Sequence, residues 1–342
     1  MRRPAILRAI GAGSLVCVAC LGLLAGCGGN GSPGPSGGAK GGKPDAGPIV
    51  MGFSQIGSES DWRAANTVSI KAEAERRGID LRFADAQQKQ ENQIRALRSF
   101  IAQKVDVIAF SPVVETGWEP VLREIKKAGI PVILTARAVD VTDKSLYVTF
   151  IGSDFVEEGR RAAKWFVENT TGDVKVFELR GTPGASCAID RKQGFEEVIK
   201  SHPRIQILHS QDGNFERGRG KEVMEAFLKT PKGKEFNALY AHNDDMALGA
   251  IQAMKEAGLK PGADIKVVSV DAVKAAFEAM IAGELNCTVE CNPLIGPQLF
   301  DMVEAIAKRP YVVEAIRSQR LGIEEGVYDQ SAAKKLIGSR KY

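Results

Sequence analysis

From residue 49 onward the chain alternates short apolar runs with stretches of helical period, and no other feature restricts its fold as much. The runs are Ile49–Phe53, Val105–Phe110, Pro131–Leu134, Val174–Leu179, Ile205–Leu208, Ala238–Tyr240 and Ile265–Val270. A strand apolar on both faces needs cover on both faces, and intervening helices supply it by making the sheet parallel. The helical stretches commonly end in glycine, as at Gly78, Gly129 and Gly258, where a left-handed cap is needed. Ile94, Leu97 and Ile101 share one helical face, and Val223, Met224 and Phe227 another. The series divides near residues 147–154 into halves of similar make-up, so the expected fold class is α/β with two Rossmann-like lobes of parallel sheet.

Open parallel sheets hold ligands beyond the carboxyl ends of their strands. Two facing lobes therefore build a site in the cleft between them, and that is where this chain concentrates polar residues. Glu59, Trp62 and Arg63 follow the first run, and Arg137 follows Pro131–Leu134. Asp190 and Arg191 lie beyond Val174–Leu179, the run His242, Asn243, Asp244, Asp245 ends Ala238–Tyr240, Asp271 ends Ile265–Val270, and Glu290 sits near the last crossing. Carboxylates, guanidiniums and an amide beside a tryptophan suit a polyhydroxylated ligand: charged groups bond hydroxyls strongly, and an aromatic face covers the C–H side of a sugar ring. Singly, each has a plainer role available, Asp244 or Asp245 as a helix cap, Trp62 as core, Arg191 as a surface partner of Asp190.

The first 47 residues read differently. Arg2, Arg3 and Arg8 precede an apolar stretch from Ala9 to Ala25, the pattern of a signal peptide over 1–26. Leu24-Ala25-Gly26-Cys27 resembles the bacterial lipobox, so Cys27 is expected to carry lipid and tether the protein outside the cytoplasm; the alternative, a single membrane-spanning anchor, also leaves it outside. Residues 27–47, rich in Gly, Ser and Pro, form a flexible linker. Within it Gly37 to Pro44 nearly matches a phosphate-binding loop, but proline stands where a metal-binding hydroxyl is needed and no strand precedes it. No cofactor or metal is expected. Of six cysteines, Cys187, Cys287 and Cys291 fall in the folded part, where an odd number leaves at least one unpaired. Cys287 and Cys291 on one strand are roughly 13 Å apart, too far to bridge each other; a bridge from Cys187 to either stays open beside three free thiols.

With 44% hydrophobic and 26% charged residues the chain is an ordinary α/β protein. Its net charge of +4 owes much to cations near the start, so no basic stripe suited to nucleic acid remains. An enzyme reading would enlist Cys187, His242 and Asp244 as nucleophile, base and orienting group, but such residues on separate βα loops coincide often by chance. A ligand-responsive repressor would need a DNA-reading helical head where the signal and spacer stand.

From Ile49 to the last helices the chain resembles the periplasmic sugar-binding proteins of the ribose type, and most closely their galactofuranose-binding, ABC-transporter branch. The resemblance is carried by Gly52-Phe-Ser-Gln-Ile-Gly-Ser-Glu-Ser60, Trp62-Arg63, Asp85-Ala-Gln-Gln-Lys-Gln-Glu-Asn-Gln-Ile94, Thr116-Gly-Trp-Glu-Pro-Val-Leu122, Ala188-Ile-Asp-Arg191 and Tyr240–Gly262. It implies a type I periplasmic binding protein with three crossovers forming a hinge, one lobe at 48–151 plus 291–320 and the other at 152–290 plus 321–342. It implies Arg63, Arg137, Arg191, Asn243, Asp271 and Glu290 as sugar contacts, with Glu59 and Trp62 beside them. The implied partners are an ABC permease and its ATPase subunits, served by a monomer on a lipid anchor; a sugar-sensing lipoprotein that presents its ligand to a membrane receptor is the alternative. In one respect the chain departs from the pattern: Thr135-Ala136-Arg137 stands where relatives have Leu-Asp-Arg. The loss of that carboxylate predicts an altered ligand, unless Glu59 or Asp61 supplies the acceptor.

Overall fold

The computed structural model describes residues 47–308, 313, 320–323 and 325–342, so the signal segment, Cys27 and nearly all of the linker lie outside the described residues. In chain order the first half runs β1 (Val50–Gln55), α1 (Asp61–Arg77), β2 (Asp80–Asp85), α2 (Gln90–Gln103), β3 (Val107–Phe110), α3 (Glu119–Lys127), β4 (Val132–Thr135) and β5 (Thr149–Ile151). The second half runs α4 (Phe155–Asn169), β6 (Val174–Arg180), α5 (Ser186–Ile199), β7 (Ile205–Asp212), α6 (Arg217–Leu228), β8 (Ala238–Ala241), α7 (Asp244–Glu256), β9 (Lys266–Asp271), α8 (Lys274–Ile281) and β10 (Cys287–Glu290). After it come α9 (Gly296–Lys308), β11 (Arg320–Leu321), β12 (Val327–Asp329) and α10 (Gln330–Leu336).

These strands form two six-stranded sheets, ordered β11-β5-β4-β3-β1-β2 and β12-β10-β9-β8-β6-β7. All pairs are parallel except β10 with β12. The chain passes between the sheets three times, after β5, after β10 and after β11. The last crossing falls beyond Leu321, because that residue pairs with Ile151 in the first sheet. Six of the seven apolar runs are interior strands, Ile205–Leu208 instead opening the edge strand β7, and β3, β4 and β8 are buried throughout. Edge strand β2 was not among those runs: its half-exposed Asp-Leu-Arg-Phe-Ala-Asp has only one face to bury.

Local chemistry places the helices that serve the cleft. Ser60 caps α1 by accepting from the amide of Arg63 at 3.2 Å, and Asn243 caps α7 by accepting from Met246 at 3.0 Å. Helices α4 and α5 cross backbone to backbone: a Cβ on Gly159 would lie 2.1 Å from the Arg191 carbonyl oxygen, and one on Gly194 1.9 Å from that of Val156. Only glycine permits that approach, which locks the helix bearing Arg191 onto the helix that leaves the first crossing. Among the described residues no helix is long and apolar enough to cross a membrane.

Candidate binding pocket

Seven of the eight sequence-selected residues converge. Glu59, Trp62, Arg63, Arg137, Arg191, Asn243 and Asp271 line one pocket between the sheets, with Ser60, Ala136, Phe155, Cys187, Phe215 and Cys291 completing it. The empty space among these side chains, counted together with its mouth open to solvent, is about 350 Å³. Larger hollows on the surface lack such buried, convergent charge.

From the first half, Arg63 donates from Nε to Glu59 Oε1 at 3.0 Å and from Nη1 toward Gln55 and Ser111. Burial raises the Glu59 carboxyl, but the charges of Arg63 and Arg137 outweigh it and hold the group below its ordinary range. The other Glu59 oxygen is buried without a partner. Arg137 donates to the Val113 carbonyl at 2.8 Å and lies 5.1 Å over the Phe215 ring. Trp62 donates from its indole nitrogen to the Cys291 carbonyl at 2.6 Å, tying α1 to the second crossing.

From the second half, Arg191 is the organising charge. Its Nε donates to Glu158 at 2.7 Å, its Nη1 to the His242 carbonyl, and its Nη2 stands 3.6 Å from Asp271. Burial pushes Asp271 well above the ordinary carboxylate range; Arg191 opposes that shift, and Asp244 and Glu158 add to it. Asn243 accepts from Met246 and donates to the Phe215 carbonyl at 3.1 Å, so its cap also fixes the loop bearing Phe215.

Glu290 is the residue that the structure moves out of the pocket. It takes the amide of Gly326 at 3.0 Å, the Tyr328 hydroxyl at 2.8 Å, the Tyr342 hydroxyl at 2.9 Å and Arg340 at 3.0 Å. The C-terminal residues that capture it are distant in sequence, so its place at a strand end was misleading.

The polar run after β8 has a separate task for each member. His242, fully buried, faces Glu178 at 3.3 Å, and burial keeps its imidazole pKa below the ordinary value against that carboxylate. Asp244 accepts from Ser269, from Thr288 at 2.8 Å and from the amide of Val273 at 2.8 Å; burial is the main cause that raises it to about 7. The nucleophile–base–orienter arrangement is therefore not formed: His242 and Asp244 are each committed elsewhere. Asp245 instead accepts from the amide of Asp61 at 2.9 Å, and Arg217 bonds both acids, at 3.0 Å to Asp245 and 2.8 Å to Asp61. On the rim, the amide of Glu115 donates to the Gly184 carbonyl at 2.8 Å and that of Ala138 to Ser186 Oγ at 2.9 Å, so the two halves touch beside the pocket.

The aromatic lining beyond Trp62 escaped the sequence reading. Phe155 opens α4, and Phe215 follows Asn214 in a left-handed turn after β7; consecutive left-handed residues past a strand end are a feature that sequence marks only through Asn214. Cys187, Cys287 and Cys291 are buried free thiols, which closes the question of a bridge from Cys187.

Two mostly parallel sheets joined by three crossings around a polar pocket define a type I periplasmic binding protein. A family model described as periplasmic binding protein domain matches residues 51–309, and the chain belongs to that family, whose members are extracytoplasmic substrate receptors and not enzymes. It is 56% identical over 265 residues, 77% of this chain and 83% of the relative, to the galactofuranose-binding protein YtfQ of Escherichia coli (strain K12). The periplasmic binding protein component of the arabinose ABC transporter from Shewanella sp. ANA-3, solved with α- and β-L-arabinofuranose, superposes with a TM-score of 0.82 at 51% identity, covering 86% of this chain and 96% of that one. A Mycobacterium smegmatis protein solved with β-D-fucofuranose gives 0.80 at 51%, covering 86% and 95%.

Proposed function

We propose that the chain is the substrate-binding lipoprotein of an ABC-type sugar importer and captures a monosaccharide in its furanose form, a galactofuranose-like aldose, by closing its two halves. The observation that carries this is the pocket itself: three buried guanidiniums and two carboxylates surround aromatic faces between the two sheets. Hydroxyls need both donors and acceptors, and Arg63, Arg137, Arg191, Asn243, Glu59 and Asp271 supply both. Relatives solved with furanoses support the ring form. The permease and ATPase subunits of the importer are its partners; it acts as a monomer and binds no nucleic acid.

The geometry around Ala136 favours an unaltered sugar class over the altered ligand expected from its missing carboxylate. Asp61 is excluded as the substitute acceptor, since it lies at the rim on Arg217. Glu59 fits, with one buried oxygen unpartnered beside the pocket. Titrating the protein with D-galactose and L-arabinose, whose solutions contain furanose rings, should give tight binding, and Ala136→Asp should weaken it about tenfold or more, because the added carboxylate would compete with Glu59 for one hydroxyl and repel it. Tighter binding by the variant would mean that an acceptor is indeed missing and the natural ligand differs.

The anchor is tested separately. Cys27→Ser should abolish labelling of the protein by a fatty-acid probe in cells, since lipid attachment needs the thiol; equal labelling of variant and parent would remove the lipoprotein assignment.

A further inference from the structure

We propose that Arg340 is a positioning residue for the pocket: it holds the backbone turn that aims Asp271 at the ligand. This rests on the reading of Asp271 as a ligand-binding carboxylate.

Asp271 and Ala272 occupy backbone conformations that residues with a Cβ seldom adopt, with φ of 126° and 62°. Each such residue costs on the order of what a couple of hydrogen bonds return, so it persists only where its surroundings hold it. Around this turn the holders are visible. The amide of Ala272 donates to Thr288 Oγ1 at 3.0 Å, and that of Val273 to Asp244 at 2.8 Å. The Ala272 carbonyl accepts from Arg340 Nη2 at 2.8 Å.

Arg340 is itself confined on every side. Its guanidinium lies 5.0 Å from the Phe277 ring, 5.2 Å from Tyr328 and 4.6 Å from Tyr342, while Nη1 donates to Glu290 at 3.0 Å. The Tyr342 carbonyl accepts from the amide of Lys274 at 2.7 Å, closing the C-terminal segment over the same turn. Glu290 stands directly opposite Asp271 in the β9–β10 register. The carboxylate that sequence placed in the pocket thus acts from behind it: it anchors Arg340, Arg340 grips Ala272, and Asp271 faces the ligand.

A structural prop and a positioning residue differ in whether their effect passes through Asp271. Calorimetric titration of the full chain with L-arabinose and D-galactose, on the parent, Arg340→Met, Asp271→Ala and the double variant, separates the two. Arg340→Met should weaken binding about tenfold, and in the Asp271→Ala background the same change should weaken it no further. Equal fold-losses in both backgrounds, or unchanged affinity in Arg340→Met, overturn the proposal. Should Arg340→Met fail to fold, Glu290→Gln, which loosens the anchor and leaves Arg340 in place, must show the same dependence on Asp271. A parent that binds neither sugar, or Asp271→Ala that binds like the parent, refutes the underlying functional reading instead.

Discussion

Arg191→Met should abolish sugar binding and lower the stability of the fold together, the largest effect expected of any pocket substitution. The buried guanidinium neutralises Glu158 at 2.7 Å and Asp271 at 3.6 Å while holding the His242 carbonyl. Removing one partner of a buried ion pair leaves uncompensated charge and costs about 3–5 kcal/mol, on the order of 10 °C in melting temperature for a chain of this size. Methionine keeps much of the stem's packing, so the loss reports charge and not volume. Adding Glu158→Gln should recover a good part of the stability and none of the binding. If the single variant melts with the parent, Arg191 is not the organising charge; if the double variant regains affinity, its role toward ligand is indirect.

The second large effect is on pH dependence. Glu325 accepts from Ser153 in the first crossing and, at 3.0 Å, from the amide of Asn292 in the second, while lying in the third, so one carboxyl joins all three. Burial, reinforced by Glu158 and opposed by Arg191, raises it from 4.5 to about 8. Between those values the folded chain keeps a proton that the unfolded chain has released, so its contribution to stability is whole below pH 4.5 and is lost as pH climbs to about 8. Asp244, raised to about 7, has the same sign. Glu178, lowered to about 2, has the opposite sign, and its contribution is lost only in acid. Melting temperature should therefore decline from mildly acidic to mildly alkaline solution, and Glu325→Gln, which cannot ionise, should flatten that decline. Parallel curves for parent and variant would exclude Glu325 as the group responsible.

What the sequence disclosed follows from where the physics is local. Strands apolar on both faces and helices with one apolar stripe state their own environment, so the α/β class and the strand-end location of the pocket could be read directly. Asp271 ends β9 and Arg137 follows β4 closely, while Arg63 and Arg191 stand on the helices that follow β1 and β6, and the pocket contains all four. Edge strand β2 was missed because half its residues face water and break the apolar run. The hinge was legible only through resemblance: nothing in the period of residues 291–321 says that the chain returns to its first sheet. Glu290 failed for a related reason, since its partners Gly326, Tyr328, Arg340 and Tyr342 lie 36 to 52 positions away. The polar run after β8 was noticed correctly, yet most of it works on the protein itself, His242 on Glu178, Asp244 on the next two strands, Asp245 on the rim.

The glycine crossing of α4 and α5 has a consequence for the cost of capture. Gly159 and Gly194 let the two backbones touch, so the helix carrying Arg191 cannot shift against the one that leaves the hinge. Under the proposed capture by closure, Arg191 and Asp271, 3.6 Å apart, and Asn243 on the same half would move together as one rigid plate. On that reading an arriving ligand would meet half of its site already ordered. The entropy of arranging those groups would then be met during folding, leaving the free energy of binding to close the cleft.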